Sequence, residues 1–360
     1  MKAETIKTIE GLRRVRDEWN ILLEGSLSNS IFLTWEWMYS WAECFINEKR
    51  ELFLIKVYDD ANRLVGIAPW YTEKINFGPA SIKQLCFLGG PETASDYLDL
   101  IAAKGREREV SNYLYDYLFG VGSSSWDCLK FQDVRAESLF LLNFIHKHRQ
   151  QGRYFEITQG SFCPIITLQK TEEEFLSQIS SSRSKRFRQD LRTLKKTDTV
   201  EIKSHVTDGI EGAVNSFFKL YSEKTEWEGE DLHRFTKRFL QNSVAVNCIQ
   251  IDFLMANDNT IGGLLHLKHN HTLSLYLMAV DKSYNPRISA GNLLVGLCVI
   301  RAIENKFKVY DFLKGYEEYK FYWTSEGRTT QTVFLAQRKA LPIVYMLMRM
   351  GKNALKAILR

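Results

Sequence analysis

The spacing of apolar residues divides the chain into strand-like and helix-like stretches, and the clearest succession lies between Thr272 and Trp323. It reads TLSLYLMAV, then the loop DKSYNPRISAGN, then LLVGLCVIRAIEN, then VYDFLKGYEEYKFYW. The first segment, rich in Leu, Tyr and Val, predicts a strand, and the proline and small residues after it predict a loop from which a helix starts. That helix is apolar almost all round, at Leu293, Leu294, Val295, Leu297, Val299, Ile300 and Ile303, so it is expected to be buried against a sheet. A further strand is expected to end at Asp311.

The same rules read the rest of the chain. Residues 9–24 and Ile31–Phe45 predict helices, the second with Trp35, Trp37 and Trp41 in the core. Leu52–Tyr58 and Leu64–Tyr71 alternate around a DDANR turn and predict a hairpin. Strands are expected at Lys83–Leu88, Tyr97–Ala102 and Asp127–Asp133, and helices at Arg106–Phe119 and Glu137–Gln150. The second half repeats this order: a helix over Glu172–Lys196, a strand over Val200–Val206, helices over Gly209–Glu226 and Asp231–Gln241, a hairpin of Ala245–Met255 with Ile261–Lys268, and then the unit at 272–323. The repeat is one of element order, and it predicts an α/β protein of mixed sheets flanked by helices.

A length of 360 residues with 45% hydrophobic composition suits two domains with real cores. Six scattered cysteines without a C-x-x-C pair fit buried thiols, and no metal is expected. No apolar run reaches the roughly 18 residues of a membrane span, and the N-terminus lacks an apolar export segment, so a cytoplasmic protein is expected.

Charge changes the picture more than composition does. The net charge of +5 hides two basic segments on an acidic body. Arg183–Lys196 holds seven basic residues against Asp190 alone, and on a helical wheel Lys185, Arg188, Arg192, Lys195 and Lys196 share one arc while Phe187, Leu191 and Leu194 share another. The stripe suits a phosphorylated acceptor, a nucleotide, RNA or anionic lipid; a solvated helix face is the plainer reading. Gly327–Arg360 holds seven basic residues and no acid. Within it Tyr345, Arg349, Lys352, Asn353, Lys356 and Arg360 fall in one arc, and Ile343, Val344, Met346, Leu347, Met350, Leu355 and Ile358 fill the rest. This predicts a basic amphipathic helix over 341–360 lying in an anionic membrane interface, against the alternative of a helix docked on the protein with its basic side in water.

Ser289, Ala290 and Gly291 stand where the apolar helix begins, so free backbone N–H groups and the helix dipole would favour a phosphate there. The segment K-G-R-E-R-E after Ala103 is a weaker counterpart in the first half. At the far end of the unit, Asp311, Phe312, Gly315, Glu317, Tyr319, Lys320 and Trp323 form the pattern D-F-x3-G-x-E-x-Y-K-x2-W. That pattern resembles the C-terminal signature of CelD/BcsL-type GNAT acyltransferases, which are associated with cellulose and exopolysaccharide biosynthesis and related to Fem-type aminoacyl-transferases. The stretch IF-x-T-x-E-W from Ile31 is similar to the N-terminal part of the same family, and the resemblance covers most of residues 10–340.

The resemblance implies two tandem GNAT-like domains: 1–165, structural or shaping the acceptor cleft, and 166–340, carrying the acyl-donor site. It implies transfer of an acetyl or other acyl group from acyl-CoA to an amine or hydroxyl of a sugar or lipid-linked intermediate, with the protein peripheral on the inner face of the cell membrane. By the same resemblance Arg287, Ser289, Ala290, Gly291 and Asn292 occupy the pyrophosphate loop, and Lys320 stabilises charge on the acyl carbonyl. A salt bridge from Lys320 to Asp311 or Glu317 is the structural alternative. Asp311 and Glu317, then His266, are the candidate bases. An aminoacyl-tRNA donor and a non-catalytic assembly protein at the membrane remain as alternatives.

Overall fold

The computed structural model describes residues 1–225 and 229–358, with the side chains of the last helix described through Gly351. Glu226, the expected end of the 209–226 helix, lies outside the described residues, as do the side chains of Lys352, Asn353, Leu355, Lys356, Ile358 and Arg360. The chain forms two compact units: one of Met1–Ser161 and Thr329–Arg360, the other of Phe162–Arg328.

The first unit opens with β1 (Lys2–Ile6), α1 (Ile9–Arg13), α2 (Arg16–Glu24) and α3 (Trp35–Phe45). The single helix expected over 9–24 is thus two, parted at Arg14–Val15. Thr34 caps α3 by accepting the Trp37 N–H. The tryptophans here are core residues: Trp19 donates to the Leu33 carbonyl, Trp35 to that of Leu12 and Trp37 to Ser95 Oγ, while the buried Trp41 N–H has no hydrogen-bond partner.

Next come β2 (Arg50–Leu52), β3 (Leu54–Tyr58), β4 (Leu64–Ala68), β5 (Trp70–Phe77), β6 (Ala80–Phe87), β7 (Ile101–Ala102), α4 (Glu107–Phe119), β8 (Cys128–Arg135) and α5 (Leu139–Gln150). Strands β1, β3, β4 and β7 lie side by side in that order. β2, β5, β6 and β8 follow another order, with β6 and β8 parallel.

The second unit follows from within β9 (Glu156–Thr167). It continues through α6 (Glu172–Gln178), α7 (Ser181–Thr197), β10 (Val200–His205), α8 (Ile210–Lys224), α9 (Glu230–Asn242), β11 (Ile249–Ala256), β12 (Asn259–His269), β13 (Thr272–Val280), α10 (Ala290–Glu304), β14 (Val309–Asp311) and α11 (Glu318–Trp323). The helix expected over 172–196 is broken where Ile179 adopts extended backbone. Its strands run β10, β11, β12, β13, β14, β9, all antiparallel except for β13 beside β14. α10 packs on β12 and β13, burying Leu293, Leu294, Val295 and Val299 as its all-round apolar surface requires.

The chain ends with β15 (Gly327–Ala336) and α12 (Ala340–Ile358). Residues 329–340, expected in the second domain, belong to the first unit instead, because Thr330–Ala336 pair antiparallel with Arg135–Cys128 of β8. The packing of α12 departs from the docked alternative, in which the basic side lies in water. Two residues of its polar arc face the protein: Tyr345 meets the Phe77 ring edge-on at 5.4 Å, and the Arg349 guanidinium lies 4.5 Å over the Phe334 ring and 3.6 Å from Glu156. Its apolar residues Ile343, Val344, Leu347 and Met348 point into solvent. Arg349 offers both a flat surface for an aromatic ring and a charge for Glu156, which the aliphatic residues cannot. No described helix is long and apolar enough to cross a membrane.

Candidate active site

The distinctive geometry of the second unit is a split between β13 and β14. The two strands pair only at Thr272–Val309, Leu273–Tyr310 and Ser274–Asp311. β14 ends there while β13 runs on to Val280, so Leu275–Val280 have no strand on that side among the described residues. Opposite β12 the register of β13 steps from Leu277 to Leu275, a bulge at Tyr276 that re-aims the backbone beside the opening. The split lies at the carboxyl end of a parallel pair, where α/β sheets bind ligands.

The start of α10 lies against the open part of β13. A methyl built on Gly291 would touch Val280 at 3.5 Å and Met278 at 3.7 Å, ordinary contacts that any small residue could make. Ser289 is the N-cap, and Ala290, Gly291 and Asn292 form the first turn. Their N–H groups have no partner four residues back in the helix. The side-chain oxygen of Asn292 is enclosed and has no hydrogen-bond partner.

An anion already stands at this terminus. Asp190, buried on α7, accepts the Ser289 N–H at 3.1 Å and pairs with Arg186 at 2.8 Å. Arg186 in turn donates to the Arg287 carbonyl at 2.6 Å, and Asp198, just past α7, accepts from the Tyr284 hydroxyl at 2.8 Å. The loop 281–289 is therefore fastened to α7 at two points and to Asp198 just past it at a third. At its start Asp281 pairs with Lys224 at 2.8 Å, and this hydrogen bond, with those from Ser283, holds its carboxyl at about 2.

Lys185, Arg188, Arg192, Lys195 and Lys196 are all exposed on α7, while Phe187 and Leu194 are buried beneath. Asp190 went unnoticed as a site residue because it sits among seven bases. The signal was its position: three residues after Phe187 and four before Leu194, it shares their buried arc.

Of the candidate catalytic residues, Lys320 and Glu317 pair with each other. Lys320 is buried in α11, and its ammonium donates to the Lys314 carbonyl at 2.6 Å and the Leu313 carbonyl at 3.4 Å while pairing with Glu317 at 2.9 Å. It clasps a tight loop in which Leu313 and Gly315 have φ of 56° and 135°. Of the two expected salt-bridge partners, Glu317 is the one it uses. Glu317 is itself 56% exposed on its side chain. Asp311 is buried at the end of β14, accepting the Leu313 N–H at 2.8 Å with Arg328 3.7 Å away.

His266, weighed as a base, is a core residue with 0% exposure. Its Nδ1 bonds Asp252 at 2.9 Å and its Nε2 bonds the Tyr310 hydroxyl at 2.8 Å, leaving neither ring nitrogen for a substrate. Ser204 and Gln250 also donate to Asp252. Burial pushes the Asp252 carboxyl up, but the hydrogen bonds from His266, Ser204 and Gln250 outweigh it and leave the group below its ordinary value. Cys298 completes a buried Asp–His–Cys cluster, with candidate ligand atoms within 4.8 Å of one another, and burial drives its thiol far up.

Residues 181–321 match the family model described as an acetyltransferase (GNAT) domain. No curated protein matches the chain. Among solved structures, FemX superposes with a TM-score of 0.63 at 11% identity, covering 96% of this chain and 99% of its own. A conserved protein of unknown function from Bacteroides thetaiotaomicron gives 0.57 at 10% identity, with 93% and 100% covered. L-PGS from Bacillus licheniformis gives 0.53 at 9% identity, with 92% and 95% covered. The chain adopts the mixed α/β, GNAT-like fold that its sequence predicts.

Proposed function

We propose that this protein is an acyltransferase that takes its acyl group from a thioester donor, acetyl-CoA or another acyl-CoA, at the split between β13 and β14. The observation that carries the reading is the open edge of Leu275–Val280 with the first turn of α10 at its end, inside the segment that matches the GNAT domain. The N–H groups of Ala290, Gly291 and Asn292 face the donor's pyrophosphate, and the β13 edge pairs with the amides of its pantetheine arm. A carboxylate beside the opening takes the proton of the attacking amine or hydroxyl. Glu317 suits this better than Asp311, because it is exposed while Asp311 already accepts a backbone N–H. Lys320 can meet the developing oxyanion only by releasing one of its three acceptors.

The acceptor is an amine or hydroxyl of a sugar or lipid-linked intermediate, its anionic group met by the exposed cations of α7. A place in surface polysaccharide biosynthesis rests on the resemblance of Asp311–Trp323 to the CelD/BcsL signature. A second reading, an aminoacyl-tRNA donor, draws on the same five cations.

Calorimetric titration with acetyl-CoA, beside a Gly291→Asp variant, tests the donor site. The site has room for the new β-carbon, so the added charge is what excludes pyrophosphate. Binding by the wild type alone is expected. Absence of binding by both, with saturable and salt-sensitive tRNA binding instead, would replace the thioester by the aminoacyl-tRNA reading.

A further inference from the structure

The outward face of α12 presents Ile343, Val344, Leu347 and Met348 with side chains 38%, 47%, 58% and 52% exposed, and Gly351 continues it. The spacing i, i+1, i+4, i+5 is that of a single helical stripe, and every residue on it is apolar. The helix is not a loosely attached tail. Its opposite side is anchored by Tyr345, Met346 and Met350 against Phe77, Ile82, Cys128, Phe334 and Ala336. A docked amphipathic helix ordinarily buries its aliphatic side; this one turns its tyrosine and arginine inward with Met346 and Met350, and leaves Ile343, Val344, Leu347 and Met348 open.

We propose that this stripe is a docking surface for the interface of an anionic lipid bilayer. Charge favours lipid as the occupant. From Gly327 onward the chain carries seven basic residues and no acid, and the helical backbone extends to Ile358. An aliphatic face on a segment of net positive charge suits an interfacial helix: the face enters the acyl boundary and the basic charge of the segment adds attraction to anionic headgroups. A protein partner fits less well. Four exposed side chains fall far short of the roughly 20 residues a side of a standard protein interface, and none is an aromatic anchor. The proposal is independent of the donor-site reading.

The test is sedimentation of the full chain with vesicles of phosphatidylcholine alone and of phosphatidylcholine with phosphatidylglycerol, at low and high salt. Wild-type protein is expected to bind the anionic vesicles at least tenfold more tightly than the neutral ones, with the advantage shrinking in salt. Val344→Glu with Leu347→Glu should abolish binding, while Val344→Leu with Met348→Leu should retain it; all three positions are exposed, and unchanged thermal unfolding checks the fold. The proposal is overturned if wild type ignores both vesicles, or if the Glu pair binds like wild type. It is also overturned if the Glu pair instead dissolves a dimer seen by sedimentation equilibrium in the absence of lipid, which would assign the face to a second copy.

Discussion

The Asp190 carboxylate receives the Ser289 backbone N–H at 3.1 Å, so the helix that should greet an anionic donor is already capped by an anion of the protein's own. Replacing Asp190 by Asn keeps an oxygen for that hydrogen bond and removes the charge. Donor affinity should rise by roughly two- to fivefold, the scale of a charge at a helix terminus, and the gain should shrink at high salt. Calorimetry with acetyl-CoA at two ionic strengths would read it; equal affinities would mean that the carboxylate and the pyrophosphate do not sense each other.

Asp99, buried in the first unit beside Ser138 and the Leu100 N–H, has its carboxyl pushed up to about 7 by burial, against the lowering effect of those hydrogen bonds. It lines a cavity of about 230 Å³. Because the folded value lies above the unfolded one of about 3.9, the folded state holds the proton longer. Its contribution is full below about pH 3.9 and is lost as pH rises toward about 7. Asp99→Asn should therefore be more stable than wild type at pH 8 and lose that advantage at pH 4. Urea unfolding at the two pH values checks the sign.

His266→Ala should cost about 3–5 kcal/mol, because it strands the buried Asp252 carboxylate without its main partner. Acetyl-CoA affinity should not change in the variant that remains folded at low temperature. A loss of donor binding with unaltered stability would return His266 to the active site.

Lys320→Met should lower stability by about 1–3 kcal/mol, since the Leu313 and Lys314 carbonyls lose a donor. Gly315→Ala should be destabilising too, by way of the same loop, because at φ 135° its β-carbon would run into Glu317 and Lys320. Thermal unfolding of both variants measures the clasp; a Lys320→Met protein as stable as wild type would show that the lysine is held for chemistry alone.

Legibility followed the range of the interactions that make each element. β13 was read over its full length, and α4, α8 and α9 to within one or two residues wherever described, because each declares its buried side locally. β1, β9 and β15 were not read. They are polar-rich strands whose identity comes from partners far off in sequence, such as Phe334 opposite Lys130. The VYDFLKGYEEYKFYW stretch was read as strand and chemistry, but its Glu318–Trp323 part is a short helix tied down by Lys320. The cationic stripe of α7 was legible from periodicity. The role of Asp190 was not, since it depends on a backbone N–H 99 residues away. On α12 the wheel separated Tyr345 and Arg349 from Ile343, Val344 and Leu347, but which arc meets the protein depends on Phe77 and Phe334, and an arginine over Phe334 packs as well as an aliphatic chain does.

The order in which the chain emerges during synthesis gives the position of β15 a further meaning. When Ser161 has been made, β8 still lacks Thr330–Ala336, and Ile82 and Cys128 still lack Phe334 and Met346. The second unit can be completed first, while the first waits with an open strand edge, a state in which pairing with other chains is a hazard. A ribosome stalled before Thr329, or a protease cutting there, would leave the older half of the protein as the unfinished one. The final 32 residues are the closing piece of the domain that began the chain.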